Sequence, residues 1–177
     1  MKIAVLSDTH IPSALPALPE ELLAQLRGVD HILHAGDITT SGVLDELDAI
    51  APTTAVLGNV DPPIMSRELK EREILHLAGR TLGLAHGHQR HALQDQYIAC
   101  DYDDAAFDLF YQAMVAQLPG AEIILFGHFH KPVIKQWHDV LFVNPGSIAP
   151  PHERPTFAML ELGAEVAASI REIPISP

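Results

Sequence analysis

A single cysteine, Cys100, stands in the 177 residues, so no disulfide can form within the chain. Basic residues are scarce as well: 11 Lys and Arg face 23 Asp and Glu, for a formal charge of -12. Non-specific duplex binding needs clustered cations that displace counterions, and this composition argues against it. Affinity for phosphate would have to come from a local positive site. No apolar run approaches the ~20 residues of a membrane span, and Met1 leads directly into an apolar strand with nothing resembling a signal peptide. Internal repeats and low-complexity tracts are missing. The expectation is a soluble, cytoplasmic protein with no membrane partner. With 47% hydrophobic residues the chain can bury one core, and its length predicts a single domain over residues 1–177.

What is present is a repeated grammar of apolar run followed by polar tip. Ile3 to Leu6 ends in Ser7-Asp8, His31 to Ala35 in Gly36-Asp37, and Thr54 to Leu57 in Gly58-Asn59. Thr81 to Ala85 ends in His86-Gly87, and Ile123 to Phe126 in Gly127-His128. Each run reads as a buried strand delivering polar side chains past its carboxyl end, where open α/β sheets bind ligands. Helical stretches over Glu20–Arg27, Ser41–Ile50 and Asp104–Leu118 alternate with them. The stripe Phe107, Phe110, Tyr111, Met114 and Leu118 reads as core. From about Val133 four closely spaced strands follow, expected to be antiparallel. The pattern fits an α/β fold of two facing sheets with helices outside. Gln89 to Tyr102, polar and aperiodic, is expected to be a mobile segment beside the site.

The polar tips carry seven side chains able to bind metal: Asp8, His10, Asp37, Asn59, His86, His128 and His130. Four imidazoles, two carboxylates and one carboxamide can divide between two divalent ions and leave positions for water and a phosphate oxygen. Two such ions carry +4 and the carboxylates return -2, so the pocket keeps about +2. That charge recruits a phosphate ester and turns a bridging water into hydroxide near neutral pH. A carboxylate can give one oxygen to each of two ions ~3.5 to 4 Å apart. Asp37 is assigned that bridge, because Gly36 beside it allows close backbone approach. Asp8 and His10 are read as pointing the same way along an extended tip, two residues apart, and His128 and His130 repeat the spacing.

The ordered set DxH, GD, GNxD, HGH and GHxH, followed by Asn144-Pro145-Gly146-Ser147, resembles the calcineurin-like metallophosphoesterase superfamily and its small bacterial and archaeal phosphodiesterases. The resemblance spans residues 3 to about 160. It implies a four-layer αββα sandwich of two mixed sheets with flanking helices. It also implies Asp8, His10, Asp37 and His130 on a first metal, and Asp37, Asn59, His86 and His128 on a second. The implied activity is hydrolysis of a small phosphoester by in-line attack of a metal-bridging hydroxide. Manganese is the favoured ion; the donors also accept Fe, Zn, Ni or Co.

One position departs from the pattern. Many members carry His between the Asn and the acid of GNxD, where it protonates the leaving group or grips the phosphate; here the residue is Val60. Loss of a general acid costs ~100-fold or more for poor leaving groups, which favours diesters, or esters with acidic leaving groups. Asp37, Asn59 and His88 are the candidate catalytic residues, His88 as a substitute proton donor. His34 is a candidate support for the Asp37 loop, Asp61 is read as orienting the Asn59 loop, and Asn144 and Ser147 as shaping a loop nearby. Arg90 and Arg154 are candidate phosphate contacts. The competing reading is a binding scaffold without catalysis, since DTHIP, HIL and HGHQ also resemble the retromer scaffold subunit of this superfamily. A homo-oligomer is compatible with either reading.

Overall fold

The computed structural model of the chain describes residues 1–89, 91–149 and 154–174. In chain order its elements are β1 (Lys2–Leu6), α1 (Glu20–Leu26), β2 (His31–His34), α2 (Ser41–Asp48) and β3 (Thr53–Ala55). A 3-10 helix (Pro63–Arg67) precedes β4 (Arg72–Leu77), β5 (Arg80–Ala85), α3 (His91–Ile98), α4 (Ala105–Gln117) and β6 (Ile123–Leu125). The chain closes with β7 (Val133–Trp137), β8 (Val140–Asn144), β9 (Thr156–Leu162) and β10 (Val166–Glu172). Two five-stranded sheets result, ordered β10-β9-β1-β2-β3 and β4-β5-β6-β8-β7. Both are mixed: β1, β2 and β3 run parallel, as do β5, β6 and β8, while β9, β10, β4 and β7 pair antiparallel.

Three apolar clusters establish the layering. Ile3 and Val5 of β1 and Leu33 of β2 pack with Leu82, Leu84, Ile123, Leu125 and Val143 of the other sheet, so this core lies between the sheets. The alternate residues Ala4, Leu6 and Ile32 face the opposite way, onto Leu22 and Leu26 of α1 and Val43 and Leu47 of α2. On the far side Ile124 and Phe142 meet Phe107, Phe110, Tyr111 and Met114 of α4. Period-2 side chains on central strands thus bury both faces of each sheet, which is why these strands read as continuous apolar runs. The architecture is the αββα sandwich.

Three details differ from the sequence reading. The four late strands do not form one antiparallel unit: β7 and β8 join the second sheet, β8 lying parallel to β6, whereas β9 and β10 complete the first. β4 has no counterpart in the sequence reading: its residues alternate between exposed and half-buried, and only Leu75 and Leu77 pack on the core between the sheets; it pairs with β5 through Ala78-Gly79, both at positive φ. Finally, Gln89 to Tyr102 contains α3, which its weak amphipathicity concealed; its buried Tyr97 packs edge-on against Phe107 and Phe110.

Candidate metal centre

The carboxyl ends of β1, β2, β5 and β6, with the loop after β3, converge on one pocket, and all seven candidate donors lie on these segments. Their backbone is unusual. Asp8, His10, Asp37, His128 and His130 all have positive φ, at 54°, 48°, 58°, 69° and 55°. This corrects the extended tip read from sequence: both i, i+2 pairs turn through left-handed conformations, which Asp and His adopt more readily than most residues. Each such residue costs on the order of 1 kcal/mol or more, held by surrounding structure and concentrated where function demands it.

That surrounding structure is dense. Asp61 accepts backbone N–H groups from Asp37 (3.1 Å), Ile38 (2.7 Å), Thr39 (2.6 Å) and Gly58 (2.7 Å), clamping the loop after β2 to the loop after β3. Its role is therefore wider than orienting Asn59. Ser7, fully buried, donates to Asp8 Oδ2 at 2.6 Å, and the Ser147 hydroxyl donates to the Asp8 carbonyl at 3.0 Å. Asn144 donates to the Gly127 carbonyl at 2.8 Å and accepts from Gly146 N–H at 2.9 Å, as its expected loop role requires. His34 Nε2 lies 3.3 Å from Thr9 Oγ1, and its Nδ1 accepts the Gly36 N–H at 3.2 Å. Ser7 and Thr9 had no sequence signal beyond flanking Asp8; their burial gives them their part. Close approach also explains two glycines: a Cβ at Gly58 would fall on Asp37 Oδ1, and one at Gly127 on Ser7 Oγ.

Two groups of donors emerge. Asp8, His10 and His130 offer ligand atoms within 4.8 Å of one another, and so do Asp8, Asp37 and His86. The Nε2 atoms of His10 and His130 face each other at 3.4 Å, with Asp8 Oδ1 3.8 Å from the first and 3.1 Å from the second. On the other side His86 Nε2 lies 3.0 Å from Asn59 Oδ1 and 3.3 Å from Asp37 Oδ2, and the His128 ring centroid is 5.1 Å from that of His86. Asp8 belongs to both groups. Asp37 Oδ2 also reaches both sides, at 3.7 Å from His10 Nε2; Asp37 Oδ1 is occupied by the Val60 N–H at 3.0 Å. The sequence reading gave each metal its own oxygen of Asp37, whereas the structure turns one oxygen to both sides.

The chemistry of these atoms suits a cation. His86 Nδ1 lies 2.7 Å from the Ala35 carbonyl, which can only accept, so Nδ1 carries hydrogen and Nε2 is the nitrogen turned to the site. Nε2 then faces Asn59 Oδ1 and Asp37 Oδ2, two acceptors, which it meets as an N–H when protonated and beside which it can ligate a cation when deprotonated. Among the described residues, Asp8 Oδ1 and His128 Nε2 are buried side-chain atoms without a hydrogen-bond partner, and both belong to this set. Unsatisfied buried polar groups are rare and mark unassigned ions or function. The donor set is nitrogen and oxygen without thiolate, fitting Mn, Fe, Zn, Ni or Co.

Titration follows the same geometry. Burial would raise the Asp37 carboxyl, but the His86 hydrogen bond and charge, the Val60 N–H and His10 outweigh it and hold the pKa down to about 2. Burial of Asp8 is likewise outweighed by His130 and His86, and its carboxyl lies below the usual range. His86 is raised: burial opposes its charge, and Asp37 and Asp8 more than compensate. Burial pushes His128 down to about 4, helped by the charge of His86. Burial and His86 also lower His88, whose ring lies 5.6 Å from that of His86 and 6.3 Å from that of His128. Of the candidate phosphate contacts, Arg154 makes an exposed ion pair with Glu172 at 3.2 Å, and Arg90 lies outside the described residues.

No helix among the described residues is long and apolar enough to cross a membrane. The calcineurin-like phosphoesterase superfamily domain matches residues 1–165. A probable metallophosphoesterase of Methanothermobacter thermautotrophicus is 31% identical over 169 residues, covering 93% of this chain and 88% of its own. A phosphodiesterase of Methanocaldococcus jannaschii is 26% identical over 160 residues, covering 82% and 83%. Among solved structures, Entamoeba histolytica Vps29 complexed with zinc superposes with a TM-score of 0.70 at 23% identity, covering 98% and 100%.

Proposed function

The chain belongs to the calcineurin-like phosphoesterase superfamily, and from that membership we propose that it is a two-metal phosphodiesterase acting in the cytoplasm on a small phosphoester, with residues 1–177 as one catalytic domain. The observation that carries the reading is the convergence of His86 Nε2, Asn59 Oδ1 and Asp37 Oδ2 within about hydrogen-bond distance, beside Asp8 Oδ1, 3.1 Å from His130 Nε2, and the buried His128 Nε2, which has no hydrogen-bond partner. Asp8, His10, Asp37 and His130 would hold one ion; Asp37, Asn59, His86 and His128 would hold the other. Manganese remains the favoured metal. Two bound divalent ions would supply an activated water and neutralise charge developing on the phosphoryl oxygens.

The protein's own residues supply placement. Asp61, through its four accepted N–H groups, fixes where Asp37 stands; the Ala35 carbonyl fixes which nitrogen of His86 faces inward. Val60 provides no proton, and the residue is 48% exposed. His88, exposed beside His86 and His128, is assigned proton delivery to the leaving oxygen, and the expected preference is for diesters with acidic alcohols.

The second reading, a scaffold, is favoured by the Vps29 likeness. The zinc in that Entamoeba protein means that metal content alone does not separate the two readings. Turnover does. Manganese-loaded protein is expected to hydrolyse bis(4-nitrophenyl) phosphate faster than 4-nitrophenyl phosphate, with Asp37→Ala losing both metal and turnover. Metal bound without hydrolysis across a panel of phosphoesters would establish the scaffold instead.

A further inference from the structure

A cavity of about 80 Å³ adjoins the candidate metal centre, lined by the strand-end residues Arg72 and Ala85 and by Met114 and Gln117 of α4. Glu71, His88 and Gln89 also line it, and it shares His86 with the centre. His88 links the two spaces, since its ring stands 5.6 Å from that of His86 and 6.3 Å from that of His128. A group extending from a phosphorus at the centre past His88 would enter this cavity.

Arg72 is the one Lys or Arg side chain among the described residues that line it. Its Nη1 donates to Gln117 Oε1 at 2.7 Å, and its Nη2 lies 3.9 Å from Glu71 Oε2, beyond hydrogen-bond distance. A guanidinium carries five N–H donors in a planar fork. Gln117 uses one and holds the fork in place. Glu71, with 72% of its side chain exposed, meets Nη2 only as a 3.9 Å ion pair, and Arg72 itself is 43% exposed. Such a fork matches a carboxylate or a phosphate oxygen pair in two parallel bonds. The volume holds a group of a few heavy atoms, the size of a carboxylate, and is small for a nucleobase.

We propose that this cavity is the subsite for the non-reacting half of the substrate, and that Arg72 selects phosphodiesters whose retained alcohol carries a small oxyanion. The inference rests on the phosphodiesterase reading above. It deepens that reading, because it assigns a substrate class to a chain whose overall charge repels anions.

The test uses three 4-nitrophenyl phosphodiesters whose second alcohol is propanol, glycolate or ethylene glycol monophosphate. All share one leaving group, and the two charged forms separate a carboxylate from a phosphate. With manganese-loaded wild type, kcat/KM is expected to favour at least one charged ester over the propyl ester by about tenfold or more, the worth of a hydrogen bond to a charged group. Arg72→Met is expected to abolish that preference while changing the propyl ester rate less than about twofold. Calorimetric binding of carboxymethyl phosphate and 2-phosphoethyl phosphate against propyl phosphate gives a readout independent of turnover, and the same preference should vanish in Arg72→Met. No preference in wild type, or a preference that survives Arg72→Met, overturns the subsite while hydrolysis of the propyl ester keeps the phosphodiesterase reading. A binding preference lost in Arg72→Met, without hydrolysis of any ester, supports the subsite and sinks the enzymatic reading.

Discussion

The backbone N–H of His128 donates to Asp8 Oδ2 at 3.0 Å, across a sequence separation of 120 residues. One buried carboxylate thereby joins the loop after β1 to the loop after β6, and so one sheet to the other. With Ser7 on the same oxygen, Oδ1 is left to face His130 and His10. Replacing Asp8 with Ala removes a member of both donor groups and leaves the His128 N–H without its acceptor. Metal content measured by elemental analysis is expected to fall from two equivalents to less than one. Turnover of a phosphodiester is expected to drop about a thousandfold, the several kcal/mol that ion-assisted charge stabilisation contributes.

Asp61 touches no candidate donor with its side chain except through backbone. Its four accepted N–H groups nevertheless fix the left-handed turn at Asp37. Asp61→Ala leaves these donors unpaired. It is expected to cost about 3 kcal/mol in urea denaturation, the range for hydrogen bonds to a charged group. Manganese affinity, measured by titration calorimetry, is expected to weaken about 10- to 100-fold, as for the loss of other residues that orient ligands. Asp61→Asn, which can still accept, is expected to lose less on both measures.

The alternation of apolar runs and polar tips made the convergence of the candidate donors legible, because central strands buried on both faces can only be apolar and their tips are the first places a polar residue can stand. Asp8, Asp37, His86 and His128 each follow such a run. Backbone was not legible: an i, i+2 pair of donors fits an extended tip and a left-handed turn equally, and only the hydrogen bonds of Asp61, Ser147 and Asn144 decide between them. β4 and α3 escaped notice for a different reason. β4 offers only the half-buried pair Leu75 and Leu77 to the core and is held by its ladder to β5, and α3 is held by Tyr97 on the α4 aromatics. The Arg72 cavity is assembled from β4, β5 and α4, so it could not be read without that ladder.

His34 connects the site to stability. Burial pushes its pKa down to about 4, from an ordinary 6.5. Its Nδ1 accepts the Gly36 N–H, so protonation also breaks that bond. The unfolded chain binds this proton more readily than the folded one, so folded stability is fully present above about pH 6.5 and is lost as pH falls towards 4. The loss amounts to about 3 kcal/mol for this group. Urea denaturation of the metal-free protein between pH 7 and 4 is expected to show a shallower decline in His34→Gln than in wild type. Parallel curves would show that His34 does not titrate as its burial implies.

Anomalous diffraction from crystals grown with manganese measures the centre itself. Two peaks are expected about 3.5 to 4 Å apart, as in other two-metal sites. One should be bounded by Asp8, His10 and His130, the other by Asn59, His86 and His128, with Asp37 Oδ2 between them. A single peak, or manganese bound away from these residues, would contradict the two-metal assignment.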